Sequence, residues 1–285
     1  MTIVGLGLMG GSLAMRLKRD GAARRVVGLV RRAETAFAAE RLGAVDRAAT
    51  DPAHALPDAD IVIFATPVRV LMAQLQAYAP LFKPGAIVTE LGSTKRAITD
   101  ALSRLPPHVY PIGSHPMCGK ETSGLAAAEA TLYEGATWVV SPLPRTPDGV
   151  IAVVEALARA AGARPLTLAP ARHDRLVAAI SHVPYLLSAA LVLAAESVAE
   201  EDETVWRVAA SGFRDTSRLA ASNVAMMMDI LLTNPDAVAE MLGRLRRQLD
   251  ALGEAIAGGD ETRLQTLLQR AADRRRRLYP PAIDD

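Results

Sequence analysis

The most constraining feature of this chain is a glycine-rich turn directly after its first apolar segment. Residues 2–4 are Thr-Ile-Val, typical of a strand, and residues 5–10 follow with the pattern Gly-x-Gly-x-x-Gly. In a strand–turn–helix unit the first glycine permits a tight turn, the second lets backbone approach a pyrophosphate, and the third lets helix pack on strand. An ordinary glycine-rich turn is the alternative, but the position at the start of a strand–helix alternation favours a dinucleotide site. The predicted contacts in this turn are Gly5, Gly7, Leu8, Met9 and Gly10.

Strand and helix signals alternate over the first 169 residues. We predict strands at residues 2–4, 25–30, 60–65, 85–89, 109–114, 137–141 and 164–168, and helices at 11–19, 33–41, 68–79, 95–104 and 149–161. This alternation predicts a parallel sheet covered by helices on both faces.

The pattern changes after residue 169, where apolar residues follow helical spacing and strand signals are few. Helical segments are predicted at 171–197, 204–212, 215–223, 225–232, 235–257 and 260–278. We therefore expect an α/β Rossmann-type dinucleotide-binding domain at residues 1–169, followed by an all-helical domain at residues 170–285.

The end of the second predicted strand indicates which dinucleotide binds. An NAD enzyme would place Asp or Glu near its end to bind the ribose hydroxyls, but this chain has Val30 followed by Arg31 and Arg32. Two arginines can bind a 2′-phosphate through charge-assisted hydrogen bonds, whereas a carboxylate would repel that phosphate. NADP is therefore predicted over NAD, although both arginines could simply solvate the turn.

Two further loops follow predicted strands at the edge where ligands bind in open α/β sheets. Thr66 and Pro67 follow the third predicted strand and should border the cofactor. Ser93 follows the next strand, where its hydroxyl could cap the following helix or meet the substrate.

Histidines supply the candidate chemistry. His115 lies at a predicted strand end in a loop rich in glycine, where an imidazole can accept a proton near neutral pH. His173 and His182 lie on one helical segment, nine residues apart. That spacing is about 180° around a regular helix, so only one should face the site unless Pro184 or a local distortion bends the path. Arg218, three residues after Asp215, could clamp a carboxylate or form a surface ion pair.

Composition limits the partners. The formal net charge is +1, from 32 basic and 31 acidic residues, so nothing indicates a nucleic acid or an anionic membrane. No uninterrupted apolar stretch reaches about eighteen residues, and Cys118 is the only cysteine, so no intrachain disulfide is expected. We expect a cytoplasmic protein with a small-molecule substrate, no membrane contact and no bound metal.

Five motifs in order resemble the prephenate and arogenate dehydrogenases of tyrosine biosynthesis. They are Gly-Leu-Gly-Leu-Met-Gly-Gly-Ser-Leu-Ala (5–14), Gly-Ser-Thr-Lys (92–95), Ser-His-Pro-Met-Cys-Gly (114–119), Ser-His-Val-Pro (181–184) and Gly-Phe-Arg-Asp-Thr-Ser-Arg (212–218). The resemblance spans nearly the whole chain and implies an NADP-preferring oxidative decarboxylation of arogenate or prephenate to tyrosine or 4-hydroxyphenylpyruvate. It also implies a homodimer formed through the helical domain.

The resemblance implies a role for each candidate side chain. His115 would take the ring hydroxyl proton, with Ser93 holding His115 or that hydroxyl. Arg218 would pair with the ring carboxylate, His182 would contact the substrate side chain, and Glu121 would border the pocket. The chain departs from the family at Glu90, where Asp is frequent, and at residues 226–228, where a Trp is frequent but three Met stand. The sequence therefore does not decide between prephenate and arogenate as the substrate.

Two other functions fit the turn at residues 5–10. β-Hydroxyacid dehydrogenases use a lysine in their helical domain, but no lysine follows Lys120 here. A non-catalytic NADP-sensing module would not need His115, Ser93 and Arg218 together.

Overall fold

The structure is a computed structural model that describes residues 1–120 and 122–280. Its contacts divide the chain into two compact units, Met1–Pro235 and Asp236–Asp285. The domain boundary expected after residue 169 falls inside the first unit and stays a prediction.

The first unit is built on one eight-stranded sheet with the order β3-β2-β1-β4-β5-β6-β7-β8. The strands are β1 (Thr2–Val4), β2 (Val27–Leu29), β3 (Arg47–Ala49), β4 (Ile61–Phe64), β5 (Ile87–Glu90), β6 (Tyr110–Pro116), β7 (Thr137–Pro142) and β8 (Arg164–Thr167). Neighbouring strands are parallel except for β6 and β7, which pair antiparallel. The Rossmann-type sheet is confirmed, while β3 and the antiparallel pair were not predicted.

Helices cover both faces of this sheet. The α/β part contains α1 (Leu8–Arg19), α2 (Ala33–Arg41), α3 (Val68–Tyr78), α4 (Arg96–Ser103) and α5 (Asp148–Ala160). Adjacent residues of β1 point to opposite faces, so Ile3 packs with α1 and α5 and Val4 packs with α3 and α4. The sheet is therefore buried on both sides, as its apolar strands predict.

The rest of the first unit is helical. It contains α6 (Pro170–Val177), a π-helical turn (Ala178–His182), α7 (Val183–Ala199), α8 (Thr204–Val208), α9 (Ser211–Ser217), a 3₁₀ turn (Arg218–Ala221) and α10 (Val224–Thr233). A strand-free second half is confirmed for the described residues.

The continuous helical stretch Pro170–Ala199 is long and apolar enough to cross a membrane by length and composition alone. Its most apolar 18-residue window has a mean hydropathy of 2.0, and 28% of that window is buried. Polar residues interrupt this stretch, so it is not the uninterrupted apolar run of about eighteen residues whose absence the sequence shows. The finding is weak evidence for a membrane, since core helices of other proteins pass the same test.

Two helices form the second unit: α11 (Pro235–Ala257), whose first residue ends the first unit, and α12 (Glu261–Leu278). Gly259 turns the chain with a φ of +61°, in the left-handed region that favours glycine. Asp260 then caps α12 by accepting a hydrogen bond from the Arg263 N–H at 2.9 Å.

Candidate active site

Close packing requires glycine at two positions of the first turn, and the remaining glycine faces open space. Gly5 has a φ of +92°, and a Cβ there would lie 2.8 Å from Thr66 Cγ2. A Cβ on Gly10 would lie 2.0 Å from the Gly5 carbonyl oxygen. Around Gly7, by contrast, no described atom lies within 4 Å of the Cβ position.

Helix α1 begins just after Gly7, at Leu8, and no described side chain caps its first N–H groups. Those groups and the helix dipole can bind a phosphate. The turn therefore fits the pyrophosphate of a dinucleotide.

The other predicted cofactor residues flank this turn. Arg31 and Arg32 are exposed after β2, and Arg32 is the residue before α2. Thr66 follows β4 and donates to Gln74 Oε1 at 2.7 Å, and Pro67 precedes α3. These residues follow β2 and β4, the strands on either side of β1, at the carboxyl edge where cofactors bind in this kind of sheet.

A buried ion pair fixes the ends of β5 and β6. The Glu90 carboxylate accepts from Lys95 Nζ and from the N–H groups of Ser114 at 2.7 Å and Gly92 at 2.6 Å. Lys95 also donates to the Ser114 carbonyl at 2.6 Å. Burial raises the pKa of Glu90 and lowers that of Lys95, and each partner's charge opposes the effect. The pair ties the loop of Ser93 to the strand of His115.

His115 belongs to a chain of polar side chains. Its Nδ1 lies 2.8 Å from Nε2 of His173, and Nδ1 of His173 lies 2.8 Å from Oδ1 of Asp174. His173 and Asp174 are each 1% exposed, whereas His115 is half-buried. The geometry therefore supports His115 from behind with a second imidazole and a carboxylate.

Asp174 also caps helix α4 from another element. Its carboxylate accepts from the N–H groups of Lys95 at 2.7 Å and Arg96 at 2.8 Å. These N–H groups lie at the start of α4. The sequence had indicated that Ser93 could cap them. Ser93 is half-buried and does not cap α4.

His182 is brought to the same region by the π-helical turn. Its Nδ1 lies 3.3 Å from Nδ2 of Asn234, which donates to the Asp174 carbonyl at 2.9 Å. The wider turn between His173 and His182 changes the angle expected for a regular helix. The local distortion that the spacing argument allowed for is present, and it lets His173 contact Asp174 while His182 contacts Asn234.

The three histidines are held neutral by their surroundings. Burial, with the charge of Lys95, lowers the pKa of His115 well below its usual value of 6.5. Burial lowers the pKa of His182 to about 4, and it lowers that of His173 although Asp174 opposes the shift. Burial opposes ionisation of Asp174, but hydrogen bonds from His173 and two backbone N–H groups lower its pKa.

Arg218 and Glu121 are the two other predicted substrate-binding residues. Arg218 is exposed and begins the 3₁₀ turn, which α7 holds through a hydrogen bond from the Ala220 N–H to Ser188 Oγ at 2.9 Å. Glu121 lies outside the described residues. Across residues 1–120 and 122–280, no group of three or more His, Cys, Asp or Glu side chains could hold a metal ion.

Sequence reasoning missed several members of this cluster. Asn234, Lys95 and Asp174 were not among the predicted site residues. Asp174 contacts residues 78 and 79 positions away, so no local pattern reveals its role. A His followed directly by an Asp, a few residues before the Ser-His-Val-Pro motif, is the one sequence signal that could have been used.

The fold and this site define a two-part oxidoreductase that uses a nicotinamide dinucleotide. The family model described as "Prephenate dehydrogenase, nucleotide-binding domain" matches residues 13–167, and "Prephenate dehydrogenase, dimerization domain" matches residues 169–270. The chain belongs to the prephenate dehydrogenase family.

Relatives and solved structures agree with this assignment. Prephenate dehydrogenase of Bacillus subtilis is 32% identical over 275 residues, which are 96% of this chain and 74% of that protein. The crystal structure of Synechocystis arogenate dehydrogenase has a TM-score of 0.86 and 33% identity, covering 97% of this chain and 99% of that one. Prephenate dehydrogenase from A. aeolicus, in complex with hydroxyphenyl propionate and NAD+, has a TM-score of 0.91 and 27% identity, covering 97% of each chain.

Proposed function

We propose that this protein catalyses the NADP-preferring oxidative decarboxylation of arogenate or prephenate, with His115 as the general base. The observation that carries the proposal is the neutral, half-buried His115 at the carboxyl end of β6, backed by His173 and Asp174, in a chain of this family. An imidazole in that state can accept a proton near neutral pH.

The reaction needs three bonds to change together or in sequence. The ring hydroxyl gives its proton to His115, the carbon bearing that hydroxyl loses a hydride, and the bond to the ring carboxylate breaks to release carbon dioxide. The electron pair of that broken bond completes the aromatic ring and leaves a phenolate oxygen, which takes the proton back from His115 to give the phenol. The nicotinamide, when bound, supplies the hydride acceptor.

We assign the remaining candidate side chains to substrate binding. Ser93, half-buried beside the strand of His115, would orient His115 or the hydroxyl. The exposed Arg218 would pair with the ring carboxylate, for which its planar guanidinium is suited. His182 would contact the substrate side chain, and Glu121 would border the pocket.

The assay that tests this function follows reduced cofactor with NADP or NAD and either prephenate or arogenate. Turnover with one substrate is expected, and both remain candidates because relatives of each name resemble this chain. No turnover with any of the four pairs would refute the proposal. His115→Asn should lower kcat by about two to four orders of magnitude while NADP binding is retained.

The preference for NADP rests on Arg31 and Arg32, which are exposed at the end of β2 where no acidic residue stands. Arg31→Ala with Arg32→Ala should raise the KM for NADP much more than the KM for NAD. Arg24→Ala, which removes another exposed arginine before β2, is the matched control and should change neither KM. Equal effects of the double change on both cofactors would leave the preference without support.

We also propose that the protein is a cytoplasmic homodimer that joins through its helical domain, residues 170–285. The family model for residues 169–270 is named for dimerisation and supports this proposal and the boundary near residue 169. Exposed apolar side chains on α7 and α10 would then be covered by the partner: Leu187, Leu193, Val198, Val224, Met226, Met228 and Leu232.

A further inference from the structure

We propose that His173, Asp174 and Asn234 are positioning residues that fix opposite tautomers of His115 and His182. In this assignment His115 offers an unprotonated Nε2, and His182 offers a protonated Nε2. The inference rests on the proposed function for its use in catalysis, although the tautomers themselves can be observed without turnover.

The first tautomer follows from Asp174. Its carboxylate already accepts from two backbone N–H groups and carries a negative charge, because the same contacts lower its pKa. It can therefore only accept from the His173 Nδ1–H at 2.8 Å. A neutral imidazole has one proton, so Nε2 of His173 must be an acceptor.

The direction of this bond passes on to His115. Nδ1 of His115 lies 2.8 Å from Nε2 of His173, which has no proton to give. Nδ1 of His115 must therefore be the donor, and its Nε2 holds the free lone pair. That nitrogen can accept a hydroxyl proton, and the imidazolium formed would be stabilised through His173 by the negative charge of Asp174.

The second tautomer follows from Asn234. The side-chain atom of Asn234 that faces the Asp174 carbonyl at 2.9 Å must be the amide nitrogen, because a carbonyl oxygen only accepts. The same nitrogen lies 3.3 Å from Nδ1 of His182, so it donates there too. His182 therefore carries its proton on Nε2 and presents a donor.

The two histidines then have complementary roles toward one substrate. His115 can take a proton, whereas His182 can only donate a hydrogen bond to an acceptor such as a carboxylate or carbonyl oxygen. Asp174 links the two assignments, since its carboxylate orients His173 and its backbone carbonyl orients Asn234.

Nitrogen-15 NMR of the histidine rings tests the assignment on the full chain, with and without NADP, near pH 7.5. We expect protonated Nδ1 on His115 and His173 and protonated Nε2 on His182. Variants that replace one of the five histidines by Gln assign the signals, and His54→Gln and His108→Gln identify the two outside the cluster. An Nε2-protonated or charged His115, or an Nδ1-protonated His182, would overturn the inference.

Kinetics of two His173 variants provide the second test. His173→Gln keeps an acceptor oxygen for the His115 Nδ1–H, while His173→Leu removes it. We expect Leu to lower kcat about 10- to 1,000-fold with little change in KM, and Gln to recover much of that loss. Equal kcat values for the two variants would contradict the positioning role.

The two tests separate the inference from the proposed function. The expected tautomers in a protein without turnover would refute the function and keep the tautomer assignment. Turnover in a protein with other tautomers would do the reverse.

Discussion

At the scale of single residues, His115 is an unusual base because burial and the nearby charge of Lys95 disfavour its charged form. Burial removes water from the ring, and Lys95 lies nearby with a positive charge, so the pKa of His115 is well below 6.5. In many enzymes a carboxylate contacts the catalytic histidine directly and stabilises its charge. Here that carboxylate belongs to Asp174, and His173 lies between it and His115. The base is therefore kept ready to accept a proton even in mildly acidic solution.

This predicts the acidic limb of the rate profile. Neutral His115 is the active form, so activity falls as the pH drops through its pKa, and a lowered pKa moves that fall toward acid. The kcat/KM for the preferred substrate should stay level as the pH drops to 6.5 and decline only below it. Initial rates at saturating NADP across this range provide the measurement, and a limb centred at or above 6.5 would contradict the prediction.

The Glu90–Lys95 pair is a second residue-scale feature, because both side chains are completely buried. Lys95→Met should reduce the free energy of unfolding by about 3–5 kcal/mol, since it leaves a carboxylate buried without its partner. Urea denaturation gives the value.

The exposed pair of Lys18 and Asp46 is the matched control for that change. Lys18→Met should cost about 1 kcal/mol or less. Adding Glu90→Gln to Lys95→Met should restore part of the loss, and equal losses for the Lys18 and Lys95 variants would show that the buried pair adds nothing special.

At the scale of elements, the π-helical turn Ala178–His182 decides which side chains meet. Without it, the spacing of nine positions from His173 to His182 would place the two rings on opposite faces. The extra residue per turn lets α6 present His173 to His115 while His182 reaches Asn234.

Deleting one residue from this turn should convert it to regular α-helix and separate the two histidines. Removal of the exposed Ala179 should lower kcat/KM strongly while helical content and NADP binding remain. Ala179→Gly keeps the chain length and should retain most activity. The measurements are turnover, circular dichroism and NADP titration, and a deletion variant with normal turnover would refute a role for the turn.

Local patterns predicted elements well and long-range contacts poorly. The β-branched run of β1 and the start of α11 at Pro235 have the bounds that their residues indicate. Strand β3, Arg47–Ala49, has no β-branched residue and forms because it pairs with β2. His115 was identifiable from its loop, but its support by His173 depends on a helical distortion that no local spacing reveals.

At the scale of the whole molecule, apolar side chains are exposed on α7 and α10. In the proposed homodimer the partner covers them. Leu193, 63% exposed on α7, is a direct test. Leu193→Glu should convert a dimer into a monomer of 30.2 kDa, because the partner would have to bury a charge. Sedimentation equilibrium measures the mass.

Phe37→Glu is the control for that substitution, because Phe37 is equally exposed at 62% but lies on α2 of the nucleotide-binding part. This variant should stay dimeric. A wild-type protein that is monomeric at micromolar concentration, or a Leu193→Glu protein that remains dimeric, would contradict the proposed interface.

The buried histidines also make the stability of the whole molecule depend on pH. His182 is 1% exposed and its pKa is lowered to about 4, whereas an unfolded chain protonates histidine near its usual 6.5. Between these values the unfolded chain binds a proton that the folded site refuses, so stability is full above 6.5 and is lost as the pH falls toward 4. From pH 7.5 to 5, His182 should contribute a loss of roughly 2 kcal/mol, from about 1.4 kcal/mol per pH unit below 6.5.

Urea unfolding at both pH values, at one protein concentration, measures this contribution as a difference between proteins. His182→Gln cannot titrate in this range and can still accept from Asn234, so it should lose less stability on acidification than the wild type by that amount. His54→Gln changes an exposed histidine and should lose as much as the wild type. If His182→Gln also lost as much as the wild type, His182 would have to be protonated in the folded protein, and its role as a neutral Nε2–H donor would fail with it.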